Sequence, residues 1–140
     1  MRALMSRITE LTNRMLVAEL TAHGIRGIVP SHGGILMRPY SGKPYTMQEM
    51  AAAIHRTKPT LTVLVGKLEE QGYVRREKSA ADSRVTFLQI TEKGRALEPV
   101  FREISDKLNA LVYQGLGEAE SQAMTRRLQQ ILGRLSDAAE

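Results

Sequence analysis

The sequence TMQEMAAAIHRTKPTLTVLVGKLEEQG, residues 46–72, predicts two short helices joined by a tight turn. Thr46 and Glu49 form a capping box, in which each side chain accepts a hydrogen bond from the other residue's backbone amide. Thr57 is a second N-cap candidate, and Gly72 suits the left-handed residue that ends a helix. About three residues separate the two helices, so the stretch predicts a helix-turn-helix. The second helix has one apolar face, formed by Leu61, Leu64, Val65 and Leu68.

The next stretch, YVRREKSAADSRVTFLQI at residues 73–90, changes from helical to strand patterning. Residues 73–77 and 85–90 are rich in β-branched and aromatic side chains, which favours two strands. The polar segment 78–83 between them predicts a hairpin loop. A helix-turn-helix followed directly by a hairpin is typical of a winged helix-turn-helix.

Two further helices are predicted before this unit. Residues 3–22 carry apolar side chains at helical spacing. A short helix begins after Pro30, with Ser31 as its N-cap, and stops before Pro39. The glycine pair 33–34 inside it either permits close contact with another helix or marks a mobile entrance to a ligand cavity.

Two helices are also predicted after the hairpin. Thr91 caps a long helix, in which Pro99 predicts a kink. The last helix covers about residues 118–138. The predicted order is therefore α-α-α-α-β-β-α-α, a mainly α fold with a small β hairpin. The apolar stripes of the last two helices need burial, either by core packing within the chain or by a second copy.

The distribution of charge favours a polyanionic partner. The net charge is +5, and residues 55–91 carry seven Lys and Arg against four Asp and Glu. Neutralised phosphates release counterions, so a basic segment suits nucleic acid, although a solvated face is the alternative. The absence of cysteine excludes disulfides and thiolate zinc sites. Neither a membrane span nor a signal peptide is recognisable, so we expect a cytoplasmic protein.

The amino-terminal end of the second helix in such a unit enters the DNA major groove. Its outward polar side chains are Lys58, Thr60 and Thr62, which predicts contacts to bases or phosphates. Lys67, further along the helix, suits a phosphate. Thr57 can serve as a helix cap alone, without any ligand.

The hairpin loop is surrounded by positive charge from Arg75, Arg76, Lys78 and Arg84. A cationic tip on a narrow ribbon can enter the minor groove, where the negative potential is enhanced. The alternative is that these charges only keep the loop solvated. Beside a capped helix-turn-helix, the nucleic-acid interpretation is favoured.

Three segments resemble the MarR family (multiple antibiotic resistance regulators). They are LEEQGYVRR at residues 68–76, DSR at 82–84 and ITEKG at 90–94. In that family a D-x-R lies in the wing, and an L/I-T-x-x-G opens the following helix. The similarity extends from about residue 4 to residue 138.

The resemblance implies a single MarR-like domain over residues 1–140. Residues 30–94 would form the winged-helix DNA-binding lobe, and residues 1–29 and 95–140 a helical dimerisation region. The implied function is a homodimeric transcriptional regulator, acting as a repressor on double-stranded DNA. A two-fold dimer implies a pseudo-palindromic operator with half-sites about one helical turn, or roughly 34 Å, apart.

The resemblance also implies roles for single residues. Arg84 is the wing arginine that reaches the minor groove, and Asp82 orients a nearby arginine or acts as a turn residue that bonds its own backbone. Val63 stands where the family often has an arginine or another polar residue, and we expect it to point outward against thymine methyls or sugar. The predicted DNA-binding residues are Thr57, Lys58, Thr60, Thr62, Val63, Lys67, Arg76, Lys78, Ser79, Asp82 and Arg84.

Family members often bind small phenolic or other aromatic acids, which release DNA. Arg38 and Tyr40 lie near the expected cleft and could hold the carboxylate of a small aromatic or anionic effector.

Other classes of function are less favoured. The chain has no glycine-rich phosphate loop and no suggestive carboxylate pair, so we expect neither an enzyme nor a cofactor. A metal site of His23, His32 and carboxylates is a minor alternative. The second functional class is a winged-helix module that binds a protein instead of DNA. Salt dependence separates the two, because binding to several phosphates falls steeply with salt.

Overall fold

The computed structural model describes residues 1–38 and 42–140 of the chain. It is mainly helical with one small antiparallel sheet, which confirms the predicted fold class. The helices are α1 (Arg2–Ala22), α2 (Pro30–Met37), α3 (Met47–Ala53), α4 (Lys58–Glu70), α5 (Glu92–Arg95), α6 (Glu98–Val112) and α7 (Glu118–Ala139). The strands are β1 (Tyr45–Thr46), β2 (Val74–Lys78) and β3 (Thr86–Ile90).

The sheet has the order β1-β3-β2, and both pairs are antiparallel. β2 and β3 form the predicted hairpin, with Val74 opposite Ile90 and Lys78 opposite Thr86. β1 was not predicted. Two residues are too few to show strand alternation, and β1 exists because Tyr45 finds a partner in Leu88 on the open edge of β3.

The predicted caps of α3 and α4 are confirmed. The Thr46 hydroxyl accepts from the Glu49 amide at 3.0 Å, and the Glu49 carboxylate accepts from the Thr46 amide at 3.4 Å. Thr57 is the N-cap of α4, accepting from the Thr60 amide at 3.4 Å. Gly72 follows α4 with a φ of +80°, the left-handed conformation expected there.

The predicted N-cap of α2 was wrong. Val29, not Ser31, is the N-cap, and the helix begins at Pro30 itself. Proline suits the first helical position because its φ is already helical and the missing amide would have no partner there. His32 completes the cap, because its Nδ1 accepts from the Val29 amide at 3.1 Å.

The predicted long, kinked helix after Thr91 is two helices. Thr91 caps α5, accepting from the Gly94 amide at 3.1 Å, but α5 ends at Arg95 and α6 starts at Glu98. Pro99 has no amide with which to continue the ladder of a preceding helix, so it lies in the first turn of a new one.

The core lies beneath α4. Gly33 on α2 approaches Phe101 on α6, where an added Cβ would lie 3.4 Å from the ring, so the glycine pair permits close helix contact. His32 is the one buried polar or charged residue within the described part of the chain. The apolar side chains with at most 1% exposure are Leu20, Ile35, Leu36, Met50, Leu61, Val65, Leu68, Leu88 and Ile104.

The chain divides into two compact units, residues 1–105 and 106–140. The second unit contains the end of α6 and all of α7, and no residue of α7 is buried. None of the described helices is long and apolar enough to cross a bilayer. The division of the chain into a lobe at 30–94 and a dimerisation region outside it stays a prediction.

Candidate nucleic-acid interface

A groove of about 360 Å³ runs between the amino-terminal half of α4 and the β2–β3 hairpin. It brings together four predicted site residues that are distant in sequence, namely Lys58, Thr62, Arg76 and Arg84. The start of α3 closes one side. The complete lining is Thr46, Met47, Gln48, Lys58, Leu61, Thr62, Arg76, Arg84, Val85 and Thr86.

The threonines at the start of α4 have their hydroxyl hydrogens assigned by local bonds. Thr57 donates to the Thr60 hydroxyl at 3.0 Å, in addition to capping the helix. Thr62 donates to the Lys58 carbonyl at 2.9 Å. The Thr60 hydroxyl is therefore placed to donate outward, whereas Thr62 offers acceptor lone pairs. Thr57 therefore acts as a helix cap in this structure, the role that it can have without any ligand.

The outer face of α4 carries Val63 and Lys67, and neither lines the groove. Val63 is 63% exposed, which confirms its predicted outward orientation. Lys67 is also exposed, and its charge acts on His32 of α2. Burial of His32 lowers the pKa of its imidazole, and the nearby Lys67 charge lowers it further.

The loop between β2 and β3 is held by two polar side chains. The Ser79 hydroxyl accepts from the amides of Ala81 and Asp82 at 3.2 and 3.3 Å. Asp82 Oδ1 accepts from the Arg84 amide at 3.0 Å and from Arg84 Nε at 3.1 Å, while Oδ2 accepts from Nη2 at 3.2 Å. Both interpretations of Asp82 therefore hold at once: it forms the turn and orients an arginine.

The Arg84 side chain is 89% exposed, although Asp82 holds one edge of its guanidinium. The hydrogen bonds from the Arg84 side chain, followed by that from its amide, lower the pKa of the Asp82 carboxyl. An ion pair this exposed contributes little to stability. Its effect is to fix the direction in which a long cation extends from the hairpin.

The two arginines of β2 also have partners, which the sequence did not reveal. Arg75 donates through Nε and Nη2 to Gln89 Oε1 on β3, at 3.2 and 2.8 Å. Arg76 forms an ion pair with Glu69 on α4, with 2.7 Å between Nη2 and Oε1. The sequence signal for Glu69 was its position seven residues, or two helical turns, after Thr62, because that spacing places both on one side of α4. The Lys78 ammonium makes no hydrogen bond or ion pair within the described residues.

Of the predicted effector residues, Tyr40 lies outside the described residues. Arg38 is half-buried and donates to the Gly34 carbonyl at 2.9 Å and to the Ala53 carbonyl at 3.1 Å. It thereby joins α2 to the end of α3. A cavity of about 210 Å³ adjoins it, lined by Ser31, Gly34, Arg38, Ala53, Ile54, His55 and Arg56.

The two histidines considered as metal ligands have separate environments. His23 Nε2 lies 3.3 Å from Glu103 Oε2, and Nδ1 lies 2.8 Å from the Glu19 carbonyl. The Glu19 carbonyl, and then Glu103, raise the pKa of His23. His32 is buried beneath α4. Within residues 1–38 and 42–140, no three His, Asp or Glu side chains gather as metal ligands.

Comparison with known proteins finds similarity to one family. The model of the MarR family matches residues 30–86, from α2 to the first residue of β3. The HTH-type transcriptional regulator MhqR of Bacillus subtilis (strain 168) is 27% identical over 128 residues, which span 91% of this chain and 86% of MhqR.

Solved structures agree over nearly the whole chain. S. aureus MepR in a DNA-binding conformation has a TM-score of 0.84 at 25% identity, covering 96% of this chain and 97% of MepR. The MepR–DNA complex also gives 0.84, at 24% identity and with 95% and 96% covered. BpsR of Bordetella bronchiseptica, solved in a study of how 6-hydroxynicotinic acid regulates its DNA binding, gives 0.80 at 15% identity, with 94% and 91% covered. These likenesses confirm the winged-helix fold.

Proposed function

Because this chain belongs to the MarR family of DNA-binding transcriptional regulators, we propose that it represses transcription as a homodimer on a pseudo-palindromic operator. Members of the family are regulators and not enzymes, in agreement with the sequence prediction. We further propose that it acts in the cytoplasm, where such regulators meet the chromosome.

The observation that carries the proposal is the groove between α4 and the hairpin. It gathers Lys58, Arg76 and Arg84 beside the Thr62 hydroxyl, on a face supported by the buried side of α4. Three cations along one groove suit a phosphate backbone, and a polar helix amino terminus suits base edges in the major groove. The MepR–DNA complex, a structure of the same fold, supports DNA as the ligand.

The side chains divide into two kinds of contact. We assign base reading to Lys58, Thr60 and Thr62, and thymine-methyl contact to the exposed Val63. Arg84 extends from the hairpin into the minor groove, where its orientation by Asp82 reduces the entropy lost on binding. The remaining predicted residues either meet phosphates (Lys67, Arg76 and Lys78) or shape the elements that do so (Thr57, Ser79 and Asp82).

The homodimer is proposed from apolar side chains left exposed on three helices. Exposed apolar side chains recur at helical spacing on α7, and a stripe of this kind marks an interaction surface. A second copy related by a two-fold axis would cover these faces and present two copies of α4 to successive major grooves. The exposed side chains are Leu4 and Ile8 of α1, Leu111 and Val112 of α6, and Met124, Leu128, Leu132 and Leu135 of α7.

Effector release is proposed through Arg38. Its guanidinium donates to the Ala53 carbonyl at the end of α3, directly before the turn that leads into α4. A small aromatic or anionic molecule that captured this guanidinium would remove the contact and alter the position of α4. BpsR, a protein of the same fold whose DNA binding is regulated by 6-hydroxynicotinic acid, supports control by a small molecule.

Fluorescence anisotropy across a salt series tests the proposal. The duplexes are one selected by the wild-type protein from a randomised library and a scrambled version of it. We expect tight binding to the selected duplex, with a log–log salt slope of about −0.9 for each phosphate contacted. Arg84→Ala should weaken binding about tenfold and reduce the slope by about one.

Arg14→Ala is the matched control, because it removes the same charge from an exposed site on α1 outside the groove and should leave affinity unchanged. In the same assay, Val63→Ala should alter preference at A·T positions, and salicylate should release the wild-type complex. Failure to select any duplex, or binding insensitive to salt, would favour the protein-binding module instead.

A further inference from the structure

The side chain of Arg76 differs in orientation from that of Arg75, the neighbouring cation of the hairpin. It lies opposite Leu88 in the β2–β3 register, and Leu88 is fully buried. Alternation along β2 places Arg76 on the same face as the buried Val74, which is the face towards α4, and Arg75 on the opposite face. The Arg76 side chain therefore lies between helix and hairpin, where it lines the groove and is 40% exposed.

Glu69 fixes the guanidinium in that position. The carboxylate lies 2.7 Å from Arg76 Nη2, and the Glu69 side chain is only 28% exposed. Apart from this ion pair, the Arg76 guanidinium has no hydrogen-bond partner within residues 1–38 and 42–140. Its other N–H groups thus remain for a phosphate or a base edge, while the ion pair sets the direction in which they point.

The carboxylate has a second effect, of opposite sign. It lies beside a groove that holds three cations, so its negative charge weakens the attraction of the groove to any polyanion. That loss applies to every duplex alike. The orientation of Arg76 benefits only a duplex whose phosphates and bases lie where the guanidinium points, because a long side chain that is already ordered loses less entropy on binding.

We infer that Glu69 is a positioning residue for DNA recognition, which holds Arg76 in the groove and raises discrimination between the operator and other duplexes at the expense of overall affinity. The inference rests on the proposed function. A half-exposed ion pair contributes little to folding, so the effect is on the selectivity of binding and not on stability.

The test compares Glu69→Gln with Glu70→Gln. Glu70 is the next residue of α4 and is exposed, and its carboxylate makes no ion pair or hydrogen bond within the described residues. Its substitution therefore gives the same change of charge without touching Arg76. Both variants should bind the scrambled duplex more tightly. Only Glu69→Gln should lower the ratio of selected to scrambled affinity, by about twofold to tenfold. Equal ratios in the two variants would overturn the inference.

A double-mutant cycle with Arg76→Gln identifies the route. If Glu69 acts through Arg76, Glu69→Gln should leave the affinity ratio unchanged in the Arg76→Gln background. An equal loss in both backgrounds would overturn the inference, because Glu69 would then act elsewhere. Melting temperatures of Glu69→Gln and Glu70→Gln should agree, which separates positioning from a loss of structure.

The two proposals fail in different ways. If the wild type selects a duplex and Arg84→Ala weakens it, while Glu69→Gln matches Glu70→Gln, only the role of Glu69 is overturned. If the wild type selects no duplex, the proposed function fails and the role of Glu69 fails with it.

Discussion

The helices α4 and α7 differ in how much of their apolar face is buried within one chain. α4 buries Leu61, Val65 and Leu68 entirely, and its ends are capped by Thr57 and Gly72. α7 is longer, with 22 residues, yet none of them is buried. Its apolar side chains, including Leu132 at 52% exposure, lie on the surface.

This contrast indicates which surfaces are fully ordered within a single chain. The groove beside α4 is built from side chains already held by a buried core and by partners such as Asp82 and Glu69. An amphipathic helix gains most of its stability by burying its apolar face, and α7 has not done so. The proposed DNA-binding face is therefore complete in one chain, whereas we expect the apolar face of α7 to be covered by a second copy.

The largest effect should come from a charge on α7. Leu132→Glu places a carboxylate on the exposed apolar stripe, twice in a two-fold dimer, and should dissociate it. The affinity for a duplex with two half-sites should fall about a hundredfold, because the second lobe no longer binds intramolecularly. Analytical ultracentrifugation and anisotropy measure the two effects.

Gln130→Glu is the control for that substitution. It adds the same charge at an exposed polar position two residues earlier, on the other side of α7, and should change neither mass nor affinity. A Leu132→Glu protein with the mass and affinity of the control would contradict the proposed role of α7 and leave the difference between the two helices unexplained.

A smaller effect should come from Gly94, which holds α5 against the hairpin. A Cβ at this position would overlap the Tyr73 carbonyl oxygen, so Gly94→Ala should lower the free energy of unfolding by about 1–3 kcal/mol. Gly66 on α4 faces open space, and Gly66→Ala should be neutral or stabilise by up to about 1 kcal/mol. Urea unfolding measures both, and equal stabilities would show that α5 is not closely packed on Tyr73.

The smallest effect should be the pH dependence of the packing beneath α4. Burial, and then Lys67, lower the pKa of His32, and its Nδ1 must be unprotonated to accept from the Val29 amide. As pH falls below about 6.5, the unfolded chain therefore takes up this proton before the folded one, and stability decreases towards the lower, folded pKa.

His32→Gln should flatten that part of the stability curve. His23 provides a control of opposite sign, because the Glu19 carbonyl and Glu103 raise its pKa. The stability that His23 contributes is fully present below about pH 6.5 and is lost as the pH rises through the folded pKa. His23→Gln should therefore remove this decrease in stability on the alkaline side. Urea unfolding from pH 5 to 8 follows both. A wild-type curve unchanged by His32→Gln would contradict the assigned state of the imidazole.

Local chemistry was readable from the sequence wherever neighbours in the chain decide it. The capping box at Thr46, the cap at Thr57 and the turn at Gly72 each involve residues within a few positions of one another. The exposure of Val63 followed from the helical period of its apolar neighbours. The assignment of Lys58, Arg76 and Arg84 to the helix and hairpin of one winged unit followed from the order of elements, whereas their meeting in one groove came from the structure.

The features that were missed depend on contacts between distant segments. Thr46 joins the sheet only because β3 offers an open edge. The Val29 cap required the buried His32 ring. Residues far apart in the chain come into contact only when the core is packed, and the periodicity of the sequence does not predict such contacts.

The sequence by itself therefore determined the winged helix-turn-helix and most of its cationic residues, because helix period, caps and strand alternation are set by near neighbours. Only the tertiary structure decided which cation is held by which partner. Arg76 turns towards α4 and meets Glu69, while Arg75 turns away and meets Gln89, because the pleat of β2 sends adjacent side chains to opposite faces and only the packed core distinguishes those faces.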